Sequence, residues 1–263
     1  MKHVLLLDKP SNLTSMQCVT KAKSILQAKK AGHAGTLDPK VTGLMLIAFD
    51  EAVKAIPVLM GLDKEYEGMI YFHKYLSLSE IKQAFKNFTG EIIQTPPVKS
   101  AVSRKPRKRK IYSLDLLKKE DKTVFFRVKC EAGTYIRKLC HDIGVFLGCG
   151  AHMKWLRRTK INGFDIKEAV SLSALKKRKE NVLIPLENAL ERTGLKKIHI
   201  KEQSVNKIMN GAPVRKEDIE GTDNIKPNEF AGVYFSGKII ALAKVLDRKS
   251  STIAKTDRVF LLE

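Results

Sequence analysis

Residues 32–49 read GHAGTLDPKVTGLMLIAF, a turn carrying three glycines and a proline that runs straight into an apolar stretch. Gly32, Gly35 and Gly43 permit backbone angles that other residues resist, and Pro39 holds Asp38, the residue before it, extended. Leu44 to Phe49 reads as a buried strand, so the turn is expected to be anchored to the core at its exit. Asp38 is then a carboxylate on a stiff turn beside a core, open to partial desolvation. Aspartate before proline is also ordinary Asx-turn and helix-capping chemistry, and residue type alone leaves both readings open.

Outward from this stretch, Val4 to Asp8 is predicted as a strand, Met16 to Gln27 as a helix, and the strand Leu44 to Phe49 as leading into a helix through Met60. Tyr66 to Phe72, Ile111 to Leu117 and Thr123 to Cys130 have strand patterns, and Leu78 to Asn87 a helical one. Tyr135 to Leu147 reads as a helix ended by Gly148 and Gly150. Strands and helices mix without strict alternation, which predicts an α+β fold with a mixed, largely antiparallel sheet and flanking helices rather than a doubly wound one. Beyond Pro185 the texture changes. A short helix near Glu187 to Arg192, a strand at Lys197 to Ile200 and a helix from Gln203 to Met209 precede β-rich segments at Ala231 to Phe235, Lys238 to Leu246 and Val259 to Leu262. The boundary is placed between residues 187 and 188, giving a large domain over 1–187 and a small β-rich one over 188–263.

The chain has 263 residues, of which 43% are hydrophobic, enough for a substantial core, and carries a formal charge of +21. Such an excess implies a polyanionic partner. Lys99 to Lys110, KSAVSRKPRKRK, holds seven basic residues and no acid, a third of the net charge, in a loop expected over 95–110. A smaller cluster spans Lys176 to Lys179. Either run alone could be a solvated loop or a localisation signal, and the whole-chain excess favours nucleic acid. No apolar run approaches membrane-spanning length, so no membrane partner is expected. The apolar segment Val4 to Leu7 is too short for a signal-peptide core, which predicts an intracellular protein. Cys18, Cys130, Cys140 and Cys149 fit neither a disulfide framework nor a zinc ribbon, and Cys140, His141, Cys149 and His152 match no usual ligand spacing. Reduced thiols and no metal are expected.

Four segments fall in one family's order: LDKPSNLTS, GHAGTLDPKVTGLMLI, CEAGTYIRKLCHDIG and GAHMKWLRR. Together they resemble the TruB-type pseudouridine synthases. PPVKSAVSRKPRKRKIY and CEAGTYIRKLCHDIG are more similar to the dyskerin-like branch, the catalytic subunits of archaeal and eukaryotic H/ACA ribonucleoproteins, and IHIKEQSVNKIMNGAPVRKEDI resembles a PUA domain. The resemblance implies a reaction without a cofactor, in which a uridine is detached at N1, rotated and rejoined through C5. It makes Asp38 the nucleophile or base, Arg137 its pairing arginine and Tyr66 the active-site tyrosine that stacks on the flipped uracil. Tyr135 and Leu156 correspond to walls of the base pocket, Lys9 to a support of the catalytic turn at the substrate site, and His33 to a residue that enters the RNA beside the flipped base. Lys99, Arg104, Lys105, Arg107, Lys108, Arg109 and Lys110 correspond to a loop that closes over substrate RNA and grips its phosphates.

The resemblance further implies a guide-dependent synthase acting on rRNA, with tRNA as a second substrate class, and as partners an H/ACA guide RNA, the substrate RNA and small accessory proteins. A stand-alone tRNA T-loop synthase and a non-catalytic RNA-binding scaffold are the competing readings. Compactness and the HDIG form favour an archaeal-type, cytoplasmic protein, with a nucleolar location if eukaryotic. The short segment ahead of LDKP and the end at Glu263 depart from the dyskerin-like pattern, and leave the stability of the small PUA-like domain on its own in question.

Overall fold

β1 (Lys2–Lys9), α1 (Ser15–Leu26), β2 (Ala31–His33) and β3 (Thr42–Asp50) open the chain. The computed structural model describes residues 1–96, 103, 105–247 and 251–260, and the backbone only of residues 179 and 180. β1 and β3 pair antiparallel from Lys2↔Asp50 to Lys9↔Gly43. Their side chains divide with period two: Val4, Leu6, Leu44 and Leu46 enter one apolar cluster, while Leu5, Leu7, Met45 and Ile47 enter another with Cys18, Ala22 and Leu26 of α1. Both faces are covered, which is why these strands read as continuous apolar runs.

α2 (Ile56–Met60), β4 (Lys64–Phe72), α3 (Leu78–Asn87), β5 (Gly90–Gln94), β6 (Arg107–Glu120), β7 (Thr123–Cys130), α4 (Ile136–Phe146), β8 (Ala151–Ile161) and β9 (Phe164–Asp165) follow. α5 (Leu172–Arg178), β10 (Leu183–Pro185) and α6 (Leu186–Glu191) complete the first sheet and its cover. Its strand order is β10-β1-β3-β8-β4-β7-β6-β5, with β2 on β3 and β9 on β8. Every pairing is antiparallel except β3 with β8, which are parallel over Thr42↔Arg157 and Gly43↔Arg158. One face of β4 and β7 carries Tyr66, Ile70, Phe126 and Val128 into a cluster with Ile81 and Phe85 of α3 and Leu139 and Ile143 of α4. Each such buried side chain contributes roughly 1.5–3 kcal/mol. Capping boxes at Thr14/Gln17 and Ser77/Glu80 fix where α1 and α3 begin.

β11 (Lys196–Ile200), α7 (Val205–Met209), β12 (Val214–Arg215), β13 (Ile219–Thr222), β14 (Phe230–Phe235), β15 (Lys238–Val245) and β16 (Thr252–Val259) build a second sheet in the order β12-β16-β15-β14-β11-β13. It has an apolar cluster of its own around Ile198, Val233 and Ile240. Tyr234, Ile239, Leu242 and Phe260 instead join Val4, Leu46 and Leu190 of the first part. The second sheet thus leans on the first through a shared core, and this shared burial supplies what a domain of its size lacks alone.

The fold class is the α+β arrangement that the sequence indicates. Several elements differ in detail. The helix expected through Met60 starts as a 3-10 turn over Glu51–Ala55, and α-helix is limited to α2. The strand expected at Val259 to Leu262 lies earlier, over Thr252–Val259, and residues 261–263 are outside the described residues. Arg107 to Lys110 are the first residues of β6, paired with β5, and not part of a loop. Alternating burial across an antiparallel pair makes this basic segment a strand despite its charge: Arg107 and Arg109 are half-buried, Lys108 and Lys110 exposed. All four cysteines are buried and free. No helix among the described residues is long and apolar enough to cross a membrane.

Candidate active site

Asp38, Pro39, Lys40 and Val41 form a β-turn closed by the Val41 N–H on the Asp38 carbonyl at 3.0 Å. Pro39 occupies its second position, where a fixed φ suits the turn. Both flanks of Asp38 are pinned. Ser15, the first residue of α1, donates through Oγ to the Leu37 carbonyl at 3.0 Å and accepts from the Leu37 N–H at 2.9 Å. On the other side Lys9 Nζ donates to the carbonyls of Pro10, Pro39 and Val41 at 2.9, 3.1 and 2.8 Å. The Asn12 N–H adds a bond of 2.9 Å to Pro39. Lys9 is 0% exposed. An ammonium has three donors and all are engaged, so Lys9 supports the turn from beneath its carbonyls. Burial lowers its pKa, opposed by the Cys18 thiol.

Ser15→Ala strips Leu37 of both partners in a buried place. The expected cost is about 1–3 kcal/mol of unfolding free energy. Urea titration reads it as a lower midpoint at unchanged slope, and an unchanged midpoint refutes the pinning.

Asp38 Oδ2 is ion-paired with Arg137 Nη2, and the side chains are 48% and 52% exposed respectively. The partly buried carboxylate expected from the turn's position is therefore solvated in the unbound chain. Arg137 orients it through the ion pair. Removing Arg137 is expected to cost little stability, since an exposed pair is worth about 0–1 kcal/mol. Arg137 stands in the first turn of α4, whose entry is held by a side chain from β5. Gln94, buried, donates through Nε2 to the Tyr135 carbonyl at 3.2 Å and accepts on Oε1 from the Tyr135 N–H at 3.0 Å. Tyr135 is thereby fixed next to Arg137, with its ring half-buried.

Arg158, 1% exposed, lies beneath the turn. Its Nε donates to the Leu44 carbonyl at 2.6 Å and its Nη2 to the Gly35 carbonyl at 3.2 Å, tying the turn's entry to its exit. Tyr66 is opposite Arg158 across β4 and β8. Burial raises the Tyr66 pKa, with a hydrogen bond and the charge of Arg158 opposing it. Its proton stays on at neutral pH, so Tyr66 offers a ring and a hydroxyl donor rather than a phenolate base. Tyr66 and Leu156 share an apolar cluster with Leu37 and Val41, the residues on either side of the Asp38 turn. His33, at the end of β2, has its pKa lowered by burial and then by Arg158. A neutral imidazole suits a base edge better than a phosphate. The same burial and the same cation hold Lys64, whose Nζ donates to the carbonyls of Met60 and Leu62, down to about 8.

Of the basic residues, Lys99 and Arg104 lie outside the described residues. Lys105 is exposed. Lys108 is ion-paired with Glu91 at 2.9 Å, and the Lys110 Nζ sits over the Tyr112 ring. Arg109 lies against the loop before α4, with Nη2 3.1 Å from where a Cβ on Gly133 would stand. Ser15, Gln94 and Arg158 are the functional supports that sequence reasoning missed. Ser15 and Arg158 close two of the quoted segments, and a polar residue ending a conspicuous motif is the signal that could have found them.

A short pinned turn thus presents one carboxylate, oriented by an arginine from a second element, and its neighbours Leu37 and Val41 share an apolar cluster with Tyr66 and Leu156. Sequence comparison matches residues 23–136 to the TruB family pseudouridylate synthase N-terminal domain and residues 137–191 to the tRNA pseudouridylate synthase B C-terminal domain. The chain belongs to the TruB family of pseudouridylate synthases. A TruB-family relative from Methanosarcina barkeri, described as "Probable tRNA pseudouridine synthase B", is 43% identical over 257 residues, covering 92% of this chain and 75% of the relative. The solved structure of a Cbf5-Nop10-Gar1 complex matches with a TM-score of 0.90 at 36% identity, covering 99% of this chain and 85% of the other. An H/ACA RNP bound to a substrate RNA containing 2'-deoxyuridine matches at 0.85 and 34% identity, covering 99% and 86%. These structures place the TruB-family chain with the dyskerin-like branch.

Proposed function

We propose that this TruB-family chain converts uridine to pseudouridine in RNA as the catalytic subunit of a guide-dependent H/ACA particle, acting on rRNA and also on tRNA. The observation that carries the reading is the Asp38–Arg137 pair on a turn pinned from both sides. The carboxylate bonds the nucleoside and is later displaced, or takes a proton and later returns it; the N1–C1′ bond breaks, the detached uracil turns, C5 bonds to C1′, and the proton lost from C5 is balanced by one taken up at N1. Tyr66 and Leu156 form the apolar floor against which the extruded base stacks, Tyr135 a wall beside it, and His33 a contact to the neighbouring nucleotides. Lys105, Arg107, Lys108, Arg109 and Lys110, with Lys99 and Arg104, grip phosphates. Covering Asp38 with RNA removes the water that solvates it in the unbound chain, and Arg137 then keeps the carboxylate ionised.

Guide dependence rests on likeness to proteins solved with Nop10, Gar1 and H/ACA RNA. The accessory proteins and the guide RNA are taken over on the same ground, and the second sheet is assigned to holding the guide as a PUA-like unit. The stand-alone tRNA reading has one specific support, the name carried by the archaeal relatives. Purified chain incubated with a T-loop RNA, and separately with a guide, accessory proteins and a paired target, distinguishes the two by pseudouridine mapping. Product only in the reconstituted reaction is expected. Product on the T-loop RNA alone overturns guide dependence, and no product in either with RNA binding retained points to a scaffold.

A further inference from the structure

The cleft leaves one basic cluster of the sequence unused, Lys176 to Lys179. In the structure α5 lies on α1, the two helices sharing an apolar cluster through Leu175, Cys18, Val19 and Ala22. Their other faces are cationic. Lys21 and Lys23 on α1 and Lys176, Lys177 and Arg178 on α5 reach solvent, and Lys29 and Lys30 extend the patch just past the end of α1. Neither helix contains an acidic residue. None of these cations is ion-paired among the described residues. Asp50 is engaged by the Lys30 backbone N–H at 2.7 Å and the Met1 ammonium at 3.4 Å. Residues 179 and 180, a lysine and a glutamate, add no net charge.

Such a surface repels itself unless an anion covers it, and a cluster of like charge without local partners is a place for a polyanion. Its position decides which one. α1 starts at Ser15, which holds the carbonyl next to Asp38, and runs about 18 Å away from it. The patch is thus a continuation of the active turn by one helix length. We propose that α1 and α5 form a second RNA-phosphate surface, separate from the cleft, that holds the backbone of the bound RNA beyond the reacting uridine. It rests on the reading of RNA as substrate, and it makes affinity depend on how much RNA extends past the site.

The test compares an unmodified full-length tRNA transcript with its isolated T-arm stem–loop, by anisotropy across a salt series. The full chain carries either Lys21→Glu, Lys29→Glu and Lys30→Glu, or Lys176→Glu, Lys177→Glu and Arg178→Glu. Affinity for the long RNA is expected to fall about tenfold or more, with the salt slope shallower by about one for each phosphate no longer neutralised, while the stem–loop binds as to wild type. Unchanged affinity for the long RNA overturns the proposal, and sedimentation with phosphatidylserine vesicles then asks whether a membrane surface is the anion. Equal loss on both RNAs overturns it too, because the patch is then part of the cleft. If the melting temperature drops, the matching glutamine substitutions at the same positions are read instead, with a smaller loss in the same order. The result is independent of turnover: a wild-type chain that made no pseudouridine on any RNA would sink the isomerase reading and leave this difference in affinity standing.

Discussion

Asp38→Asn is expected to abolish pseudouridine formation while the protein folds and binds RNA as before. The carboxylate is the one group at the turn able to attack or to accept a proton, and an amide of the same shape does neither. Loss of an acting nucleophile or base costs at least about a thousandfold in rate, more than any support residue could cost by misalignment alone. Stability is expected to stay within about 1 kcal/mol, because Asp38 and Arg137 are both about half exposed and solvent screens such pairs. Affinity for RNA should stay level or rise slightly, since the substitution removes a negative charge from a phosphate-lined site. Arg137→Met is the companion: same melting temperature, a lower rate, and a rate deficit that grows as pH falls, because a carboxylate covered by RNA without its arginine is protonated more readily. Single-turnover pseudouridine mapping and thermal melts measure all of this. Wild-type turnover in Asp38→Asn would remove Asp38 from the chemistry whatever the fold.

The turn was legible because its signals are local. Gly35 and Gly43 allow, and Pro39 fixes, the backbone angles of a turn within a dozen residues, and the apolar run after them has no alternative but the core. Much the same holds for α3 and β7, whose patterns are periodic, and for the continuous apolar run of β1. The strand that organises the site was not legible. β8 joins the two halves of the sheet, yet AHMKWLRRTKI alternates poorly, because Arg158 occupies a buried place that a hydrophobic residue would ordinarily fill. An arginine is buried there only because carbonyls from β3 and the turn take up its donors, a fact that belongs to tertiary structure. The exposure of Asp38 was misjudged for a related reason. Being next to a core in sequence anchored Leu37 and Val41 in it, but the turn aims Asp38, Pro39 and Lys40 between them outward. Roles for Tyr66 and Leu156 came from resemblance, and what the structure adds is that they share one cluster with the turn's flanking residues.

Gly43→Ala is expected to be the most damaging single-methyl change in the chain. β3 and β8 meet over only two residue pairs, and Gly43 is one of them. A Cβ there would stand 2.3 Å from the Arg158 carbonyl oxygen and 2.6 Å from its nitrogen, and φ is +108°. Two costs therefore add: the backbone strain of a side chain at positive φ, about 1–3 kcal/mol, and the displacement of a neighbouring backbone that cannot rotate away, about 1–3 kcal/mol more. The same joint carries the Arg158 guanidinium, so moving it pulls on the Gly35 and Leu44 carbonyls that shape the turn. Activity should fall even at temperatures where the variant remains folded. Gly90 supplies the control, since its φ of +104° is nearly the same while nothing lies within 4 Å of a Cβ built there. Gly90→Ala therefore incurs strain alone. Denaturant titration of the two variants side by side isolates the close approach: Gly43→Ala should be the less stable by about 1–3 kcal/mol. Equal losses would mean that positive φ, and not the close approach of β8, is what requires glycine at the exit of the turn.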